Sequence, residues 1–292
     1  MKRREIAATL RLVDYTLESV APGYLPGYHI GAFHGTAGKL AGFASLLHRM
    51  DPKNIDMVAT RRAMSPVPLV RLYQAKVAID VAVLVDLSAS MGFVGRGRKL
   101  AEAAKLAACL SHSAYRLGDR FTLTGFGDDV ELYFPPKRSA DYPWEIGEAL
   151  WRHRASAKGV GGLDRACALL PRRRSLVLLV SDFHFGGGTV ERALAHLQRH
   201  DGILAVLWDP AEQRELPRTG WTELYDPETG ARTRRWLRRG LVPRFQRTFE
   251  ARRALLLEKC RRYGSHSLFL HCPFDPAELV RFFLRRRGQA RA

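Results

Sequence analysis

Unbroken apolar runs alternate with amphipathic stretches along most of this chain. Val81-Ala82-Val83-Leu84-Val85 runs into Asp86-Leu87-Ser88-Ala89-Ser90-Met91. A β-branched run with no polar interruption predicts a strand buried on both faces of a parallel sheet. Leu176–Val180, Ile203–Trp208 and Ser267–His271 predict further strands. Leu100, Ala103, Ala104, Ala107, Leu110, Ala114 and Leu117 recur at helical spacing and predict a helix over Lys99–Leu117, stopped by Gly118-Asp119. Arg120–Phe126 alternates, Gly127–Asp129 turns, and Val130–Phe134 returns, a hairpin pattern that Pro135-Pro136 breaks. Further helices are expected over Trp144–Trp151, Val190–His200 and Pro276–Arg287, and a long one over Arg234–Tyr263. Glu223–Gly230 reads as a strand and a tight turn.

The first quarter of the chain is less regular. Met1 to about Leu25 suggests a helix, Tyr28–Lys39 with its Gly and His residues reads as loop, and Ala41–Met50 is short and apolar-rich. Val67–Tyr73 is strand-like. Alternating strands and helices from Val77 onward give an α/β fold class, a doubly wound, mostly parallel sheet flanked by helices. The expected division is 1–76, an N-terminal extension packing on the core, and 77–292, the sheet domain with a C-terminal hairpin-plus-helix elaboration.

Composition adds bounds. With 292 residues, 46% hydrophobic and 26% charged, the chain is long enough to bury roughly 75% of its unfolded surface. No window approaches the roughly 20 apolar residues of a membrane span, and no signal-like apolar core follows Met1-Lys2-Arg3-Arg4-Glu5, so a cytoplasmic location is expected. A zinc site from Cys260, His266, His271 and Cys272 is disfavoured, because adjacent strand residues point to opposite sides. The net charge of +18 attracts a polyanion or an acidic protein surface.

Candidate chemistry gathers at strand ends. One carboxylate and two hydroxyls at Asp86, Ser88 and Ser90 leave a strand at its carboxyl end, where open α/β sheets bind ligands. Such a set suits a hard cation, Mg²⁺ with Mn²⁺ or Ca²⁺ as relatives. Asp182 ends a second apolar run and supplies a further carboxylate for the same metal site. The plain alternative for both aspartates is that they cap the segments that follow.

The Asp-x-Ser-x-Ser pattern resembles the metal-ion-dependent adhesion site (MIDAS) of von Willebrand factor A (vWA) domains. That resemblance implies a metal whose open position takes an acidic residue from a partner. Those domains commonly place Thr in a Gly-Gly-Thr-Asp loop; here Gly161-Gly162-Leu163-Asp164 has Leu163, which cannot ligate a cation. Asp51-Pro52-Lys53-Asn54-Ile55-Asp56, then Ala59-Thr60-Arg61, then Val70-Arg71-Leu72-Tyr73, then Asp86–Met91 is similar to the DUF58 family, with Met57 where members usually carry Trp. The resemblance implies a cytoplasmic, chaperone-like, non-enzymatic adaptor that engages a protein partner with an acidic ligand residue, a MoxR-type AAA+ ATPase or its client, in complex assembly or maturation. Two other classes stand beside it. One is a basic nucleic-acid-binding protein acting through the Arg-rich stretch from Arg234 to Arg262. The other is a haloacid-dehalogenase-like phosphohydrolase using Asp86, which lacks its acid/base because Ser88 stands two residues on. No P-loop or metalloprotease motif is present.

Overall fold

The computed structural model describes residues 7, 9–10, 12–15, 26–35, 39–48, 50–213, 220–225, 232–237 and 241–289. The chain forms two compact units, one of residues 19–79 and one of residues 1–18 with 80–292.

In the smaller unit, β1 (Pro26–Gly35), β2 (Lys39–Ser45) and β3 (Leu69–Val77) form an antiparallel sheet in the order β1-β3-β2, with a short helix α1 (Met57–Arg62) between β2 and β3. The loop expected over Tyr28–Lys39 is therefore largely a strand. Its Gly and His residues have weak strand preference, and its ladder to β3 is irregular, with register shifts after Pro26 and Ile30. The Asp51–Arg62 block is a structural knot. Asp56 Oδ1 accepts the backbone N–H groups of Val58 and Ala59 and so caps α1. Its Oδ2 accepts Arg71 Nε at 2.7 Å. Thr60 Oγ1 donates to Asp56 O and accepts from Leu69 N.

The larger unit begins with β4 (Asp80–Asp86), buried at all seven positions as the apolar run predicts. There follow α2 (Lys99–Leu117), β5 (Arg120–Phe126), β6 (Val130–Lys137), α3 (Tyr142–Arg152), α4 (Leu163–Ala168), β7 (Leu176–Ser181), α5 (Gly187–Leu197), β8 (Asp201–Trp208), α6 (Pro210–Gln213), β9 (Gly220–Tyr225), β10 (Arg232–Leu237), α7 (Leu241–Arg262), β11 (His266–His271) and α8 (Pro276–Gln289). Six strands make one sheet in the order β11-β8-β7-β4-β5-β6, parallel except for the edge strand β6. Pro135 and Pro136 lie inside β6 rather than ending it: one can face the free side of an edge strand, and the ladder to β5 shifts register between Phe134 and Lys137, where the missing donors fall.

Alternate residues of the central strands face opposite layers. Ala82, Leu84, Val177, Leu179, Leu204 and Val206 pack with Leu163, Ala166, Leu194 and Leu197 of α4 and α5. Helix α2 is buried along most of its length. Gly118 ends it at φ +83, a left-handed cap in which its N–H reaches back to Ala114 O and Tyr115 O. Residues 12–15 are not helical; Val13 N donates to Ser113 Oγ and Tyr15 OH to Asp119 Oδ2 at 2.8 Å. The rest of the helix expected near the N-terminus lies mostly outside the described residues.

The long helix expected from Arg234 begins at Leu241. Arg232–Leu237 is instead strand β10, paired antiparallel with β9 so that Trp221 and Trp236 meet edge-to-face across the ladder, centroids 5.5 Å apart. Arginines and a tryptophan at alternating positions satisfy either periodicity, and the pairing with β9 decides it. The tight turn expected after Tyr225 lies outside the described residues.

Candidate functional site

The strand order reverses between β4 and β7: β5 and β6 lie to one side of β4, β7, β8 and β11 to the other. A crevice opens at such a switch point, at the carboxyl ends of the strands. Asp86 closes β4 there, and Asp182 follows the last residue of β7.

Asp86 is fully buried. Its Oδ1 accepts Ser88 N at 2.8 Å and its Oδ2 accepts Ser181 Oγ at 2.6 Å. Ser88 Oγ and Ser90 Oγ face each other at 3.2 Å. Ser88 is fully buried too, and Ser90, at 8% exposure, is the member of the set nearest solvent. Leu87 N bonds to Phe126 O and Ala89 N to Ala157 O, so the loop carrying the serines is stitched to its neighbours on both sides. Burial, and then the charge of Asp182, push the Asp86 carboxyl up to about 7.

Asp182 is also fully buried, but it has a counter-ion. Lys99 Nζ lies 2.8 Å from Asp182 Oδ2 and 2.6 Å from Glu212 Oε1, with no exposed side-chain surface of its own. Burial opposes ionisation of Asp182, but the Lys99 ammonium outweighs it and holds the carboxyl below its ordinary value. Burial likewise opposes the Lys99 charge, and Asp182 and Glu212 overcome it, raising the ammonium pKa. Lys99 is the first residue of α2, where the helix dipole disfavours a cation. The two carboxylates therefore offset both desolvation and the dipole.

The turn after β7 is strained. Phe183 adopts φ +56, which for a bulky residue costs about 1 kcal/mol or more. It is held by Phe183 N to Ser181 Oγ, His184 N to Asp182 Oδ1 and Trp208 Nε1 to Asp182 O. The turn also brings in His184. Asp182, His184 and Glu212 bring ligand-type atoms within 4.8 Å of one another, with His184 lowered in pKa by burial.

The next strand end is braced in the same way. Asp209-Pro210-Ala211-Glu212 forms a capping box at the start of α6, with Ala211 N to Asp209 Oδ1 and Asp209 N to Glu212 Oε2. Asp209 Oδ2 also accepts Gly97 N. A Cβ on Gly95 would stand 2.5 Å from Asp209 Oδ1, so only glycine lets this loop close on the aspartate.

The structure thus brings Asp86, Ser88 and Ser90 together and places Asp182 beside them, committed to Lys99. Leu163 is buried as the first residue of α4, packed in the core with Phe126 and Ala166. Lys99, Ser181 and Glu212 escaped sequence reasoning. Lys99 left a signal, since it sits four residues before Ala103 on the apolar stripe of α2, where a lysine needs a buried partner. Glu212 left only its capping-box spacing from Asp209.

The zinc alternative finds no support. His271 is exposed and Cys272 buried, burial pushes the Cys260 and Cys272 thiols up to about 12, and these residues form no ligand grouping among the described residues. Several cations of α7 serve inside the molecule. Arg252 donates to Phe185 O, Arg253 lies 4.4 Å over the Phe269 ring, and Lys259 pairs with Glu191 at 2.7 Å. Phe249 of the same helix packs edge-on against His184 and Trp208.

The larger unit is a doubly wound, mostly parallel α/β sheet flanked by helices. The VWA domain of SpRpn10 is 11% identical with a TM-score of 0.40, covering 70% of this chain and 94% of that one. An uncharacterized protein of Mycobacterium tuberculosis is 27% identical over 297 residues, 99% of this chain and 92% of the relative. A Paracoccus denitrificans protein, described as uncharacterized and lying in the moxR 3' region, is 39% identical over 75 residues, 24% of this chain and 71% of its own length. No helix among the described residues is long and apolar enough to cross a membrane. Residues 51–254 match the family described as "Protein of unknown function DUF58", and the chain belongs to that family.

Proposed function

We propose that this protein is a non-enzymatic vWA-like adaptor. It binds a protein partner through a divalent cation held by Asp86, Ser88 and Ser90, with Asp182 orienting the site from its ion pair with Lys99. The observation that carries the reading is Asp86, a buried carboxylate whose hydrogen bonds come from a hydroxyl and an N–H and from no cationic side chain. A buried charge in that state needs a counter-ion. The donor set fits one. All three side chains offer oxygen, as Mg²⁺ and Ca²⁺ require, and two oxygens on Mg²⁺ at 2.0–2.1 Å stand about 2.9 Å apart, near the 3.2 Å between Ser88 Oγ and Ser90 Oγ. When bound, such a cation supplies an open coordination position for a carboxylate from outside the chain.

The partner proposed is a MoxR-type AAA+ ATPase or its client, in complex assembly or maturation; the moxR-region relative supports this. The phosphohydrolase alternative lacks its acid/base, since Ser88 stands two residues after Asp86 where a second carboxylate is needed. Nucleic-acid binding is weakened by the engagement of Arg252 and Lys259 within the chain.

Calorimetric titration of the chelator-treated protein with Mg²⁺, Mn²⁺ and Ca²⁺ tests the reading. Saturable binding that disappears in Asp86→Ala is the expected result. No binding at millimolar metal to a folded wild type rejects it.

A further inference from the structure

Lys99 has no place in the donor set of Asp86, Ser88 and Ser90, yet it is fully buried against the neighbouring carboxylate. We infer that Lys99 is a positioning residue that keeps Asp182 committed to its own ammonium, so that a divalent cation at Asp86, Ser88 and Ser90 retains net positive charge and takes up a carboxylate from outside the chain. The inference rests on the metal reading above and extends it to what makes the site accept an anion.

The argument is one of charge in a buried place. Asp86 and Asp182 end adjacent strands and are both fully buried. Left to themselves, the two carboxylates would neutralise a divalent cation, and no charge would remain to draw in a third. Lys99 compensates one of them. Its Nζ is 2.8 Å from Asp182 Oδ2, and its second contact, 2.6 Å to Glu212 Oε1, ties it to α6 and prevents it from swinging toward Asp86. A cation whose own ligands are Asp86 and two neutral hydroxyls then has one positive charge unmatched among those ligands. Glu212, the more exposed of the two acids on Lys99 at 15% against 1%, is the better screened by water. A carboxylate on a partner's surface is the ligand that completes it. A purely structural lysine would hold α6 in place and leave the anion preference of the metal unchanged.

The test uses Mn²⁺ alone and then acetate on the Mn²⁺-loaded protein, both by calorimetry, on the full chain. Lys99→Met is expected to tighten Mn²⁺ about tenfold and to weaken acetate about tenfold. Asp182→Asn, which frees the ammonium, is expected to do the reverse. Lys99→Met/Asp182→Asn, which deletes both charges, should return acetate binding to within about threefold of wild type; it also serves if Lys99→Met alone fails to fold. Lys99→Arg should follow wild type. Wild-type Mn²⁺ and acetate affinities in folded Lys99→Met and Asp182→Asn would overturn the inference and leave the metal reading standing. Absence of Mn²⁺ binding to wild type would overturn both.

Discussion

The two ends of β4 carry the same residue in opposite circumstances. Asp80 opens the strand and Asp86 closes it, and both are buried. At the amino end, Asp80 accepts Arg120 Nε at 2.8 Å and Arg173 Nε at 2.5 Å. Burial alone would raise its pKa, but the two guanidinium groups outweigh burial and lower it. At the carboxyl end, Asp86 has Ser181 Oγ and Ser88 N and is pushed up to about 7. The contrast extends along the sheet. Asp201, at the amino end of β8, is ion-paired with Arg286 at 2.6 Å. Asp182 and Asp209 follow the carboxyl ends of β7 and β8. Asp209 accepts backbone N–H groups, and Asp182 shares Lys99 with Glu212. One edge is balanced within the chain and reads as stability. The other is left short of positive charge, and it carries the proposed cation site.

Breaking the balanced edge has the largest expected effect. Asp80→Ala removes a buried carboxylate from two partly exposed guanidinium groups; breaking a buried pair costs about 3–5 kcal/mol, and water reaching the arginines brings the expectation to the lower end. Urea unfolding of the chelator-treated protein measures it. A loss below about 1 kcal/mol would show that Arg120 and Arg173 find water or other partners, and the contrast between the edges would fail at its stable end.

Leu163→Thr comes next and probes the position where a vWA domain supplies a hydroxyl. Because Leu163 packs in the core with Phe126 and Ala166, losing its methyl groups and burying a hydroxyl is expected to cost about 2–4 kcal/mol. Cation affinity should stay within about threefold of wild type. A tenfold gain in Mg²⁺ affinity would mean that this loop reaches the site after all, and that leucine had replaced a ligand.

What the sequence made legible follows the same division. Continuous apolar runs marked β4, β7 and β8, and an acid at the end of each run marked the carboxyl edge of the sheet, because a parallel strand buried on both faces leaves polar residues only at its ends. Asp86, Ser88 and Ser90 are close in the chain, so one loop brings them together. Lys99 and Glu212 reach Asp182 across 83 and 30 positions respectively, and such meetings are decided by strand order, which periodicity does not encode. β1 was hidden by its Gly and His residues, and β10 by arginines that also fit a helix. Both are strands because of what they pair with, β3 and β9, and not because of intrinsic preference.

A smaller effect belongs to pH. His200 immediately precedes β8 at the amino edge. Burial first, then Arg199 and Arg174, hold its pKa down to about 4, whereas an unfolded histidine titrates near about 6.5. The unfolded chain therefore binds the extra proton between these values. The contribution of neutral His200 is complete above about 6.5 and is lost as pH falls toward about 4. Urea midpoints across that window combine this loss with the opposite contribution of Asp86, whose raised pKa stabilises the folded chain as pH falls below about 7. The difference between His200→Gln and wild type therefore isolates the histidine: the variant should gain on wild type toward acid. An unchanged slope in the variant would place the titrating group elsewhere.

Asp86→Asn has the smallest expected effect on stability and separates the two edges most cleanly. The amide keeps the shape of the carboxylate. Its oxygen still accepts Ser88 N, and its NH₂ can donate to Ser181 Oγ. That hydroxyl oxygen already accepts Phe183 N but has a second lone pair to offer. The Ser181 O–H, which donates to the carboxylate in the wild type, then loses its acceptor, and the disappearance of a buried charge without a cationic partner offsets that cost. The chelator-treated variant should therefore unfold within about 1 kcal/mol of wild type, in contrast to the several kcal/mol lost when Asp80 at the other end of the strand is removed. Saturable Mg²⁺ binding should fall more than about tenfold in the same sample, because the one charged donor of the set is gone. If Asp86→Asn instead destabilises the chelator-treated protein as much as Asp80→Ala does, the carboxylate is a structural element of the strand end, and the two ends of β4 differ in geometry but not in purpose.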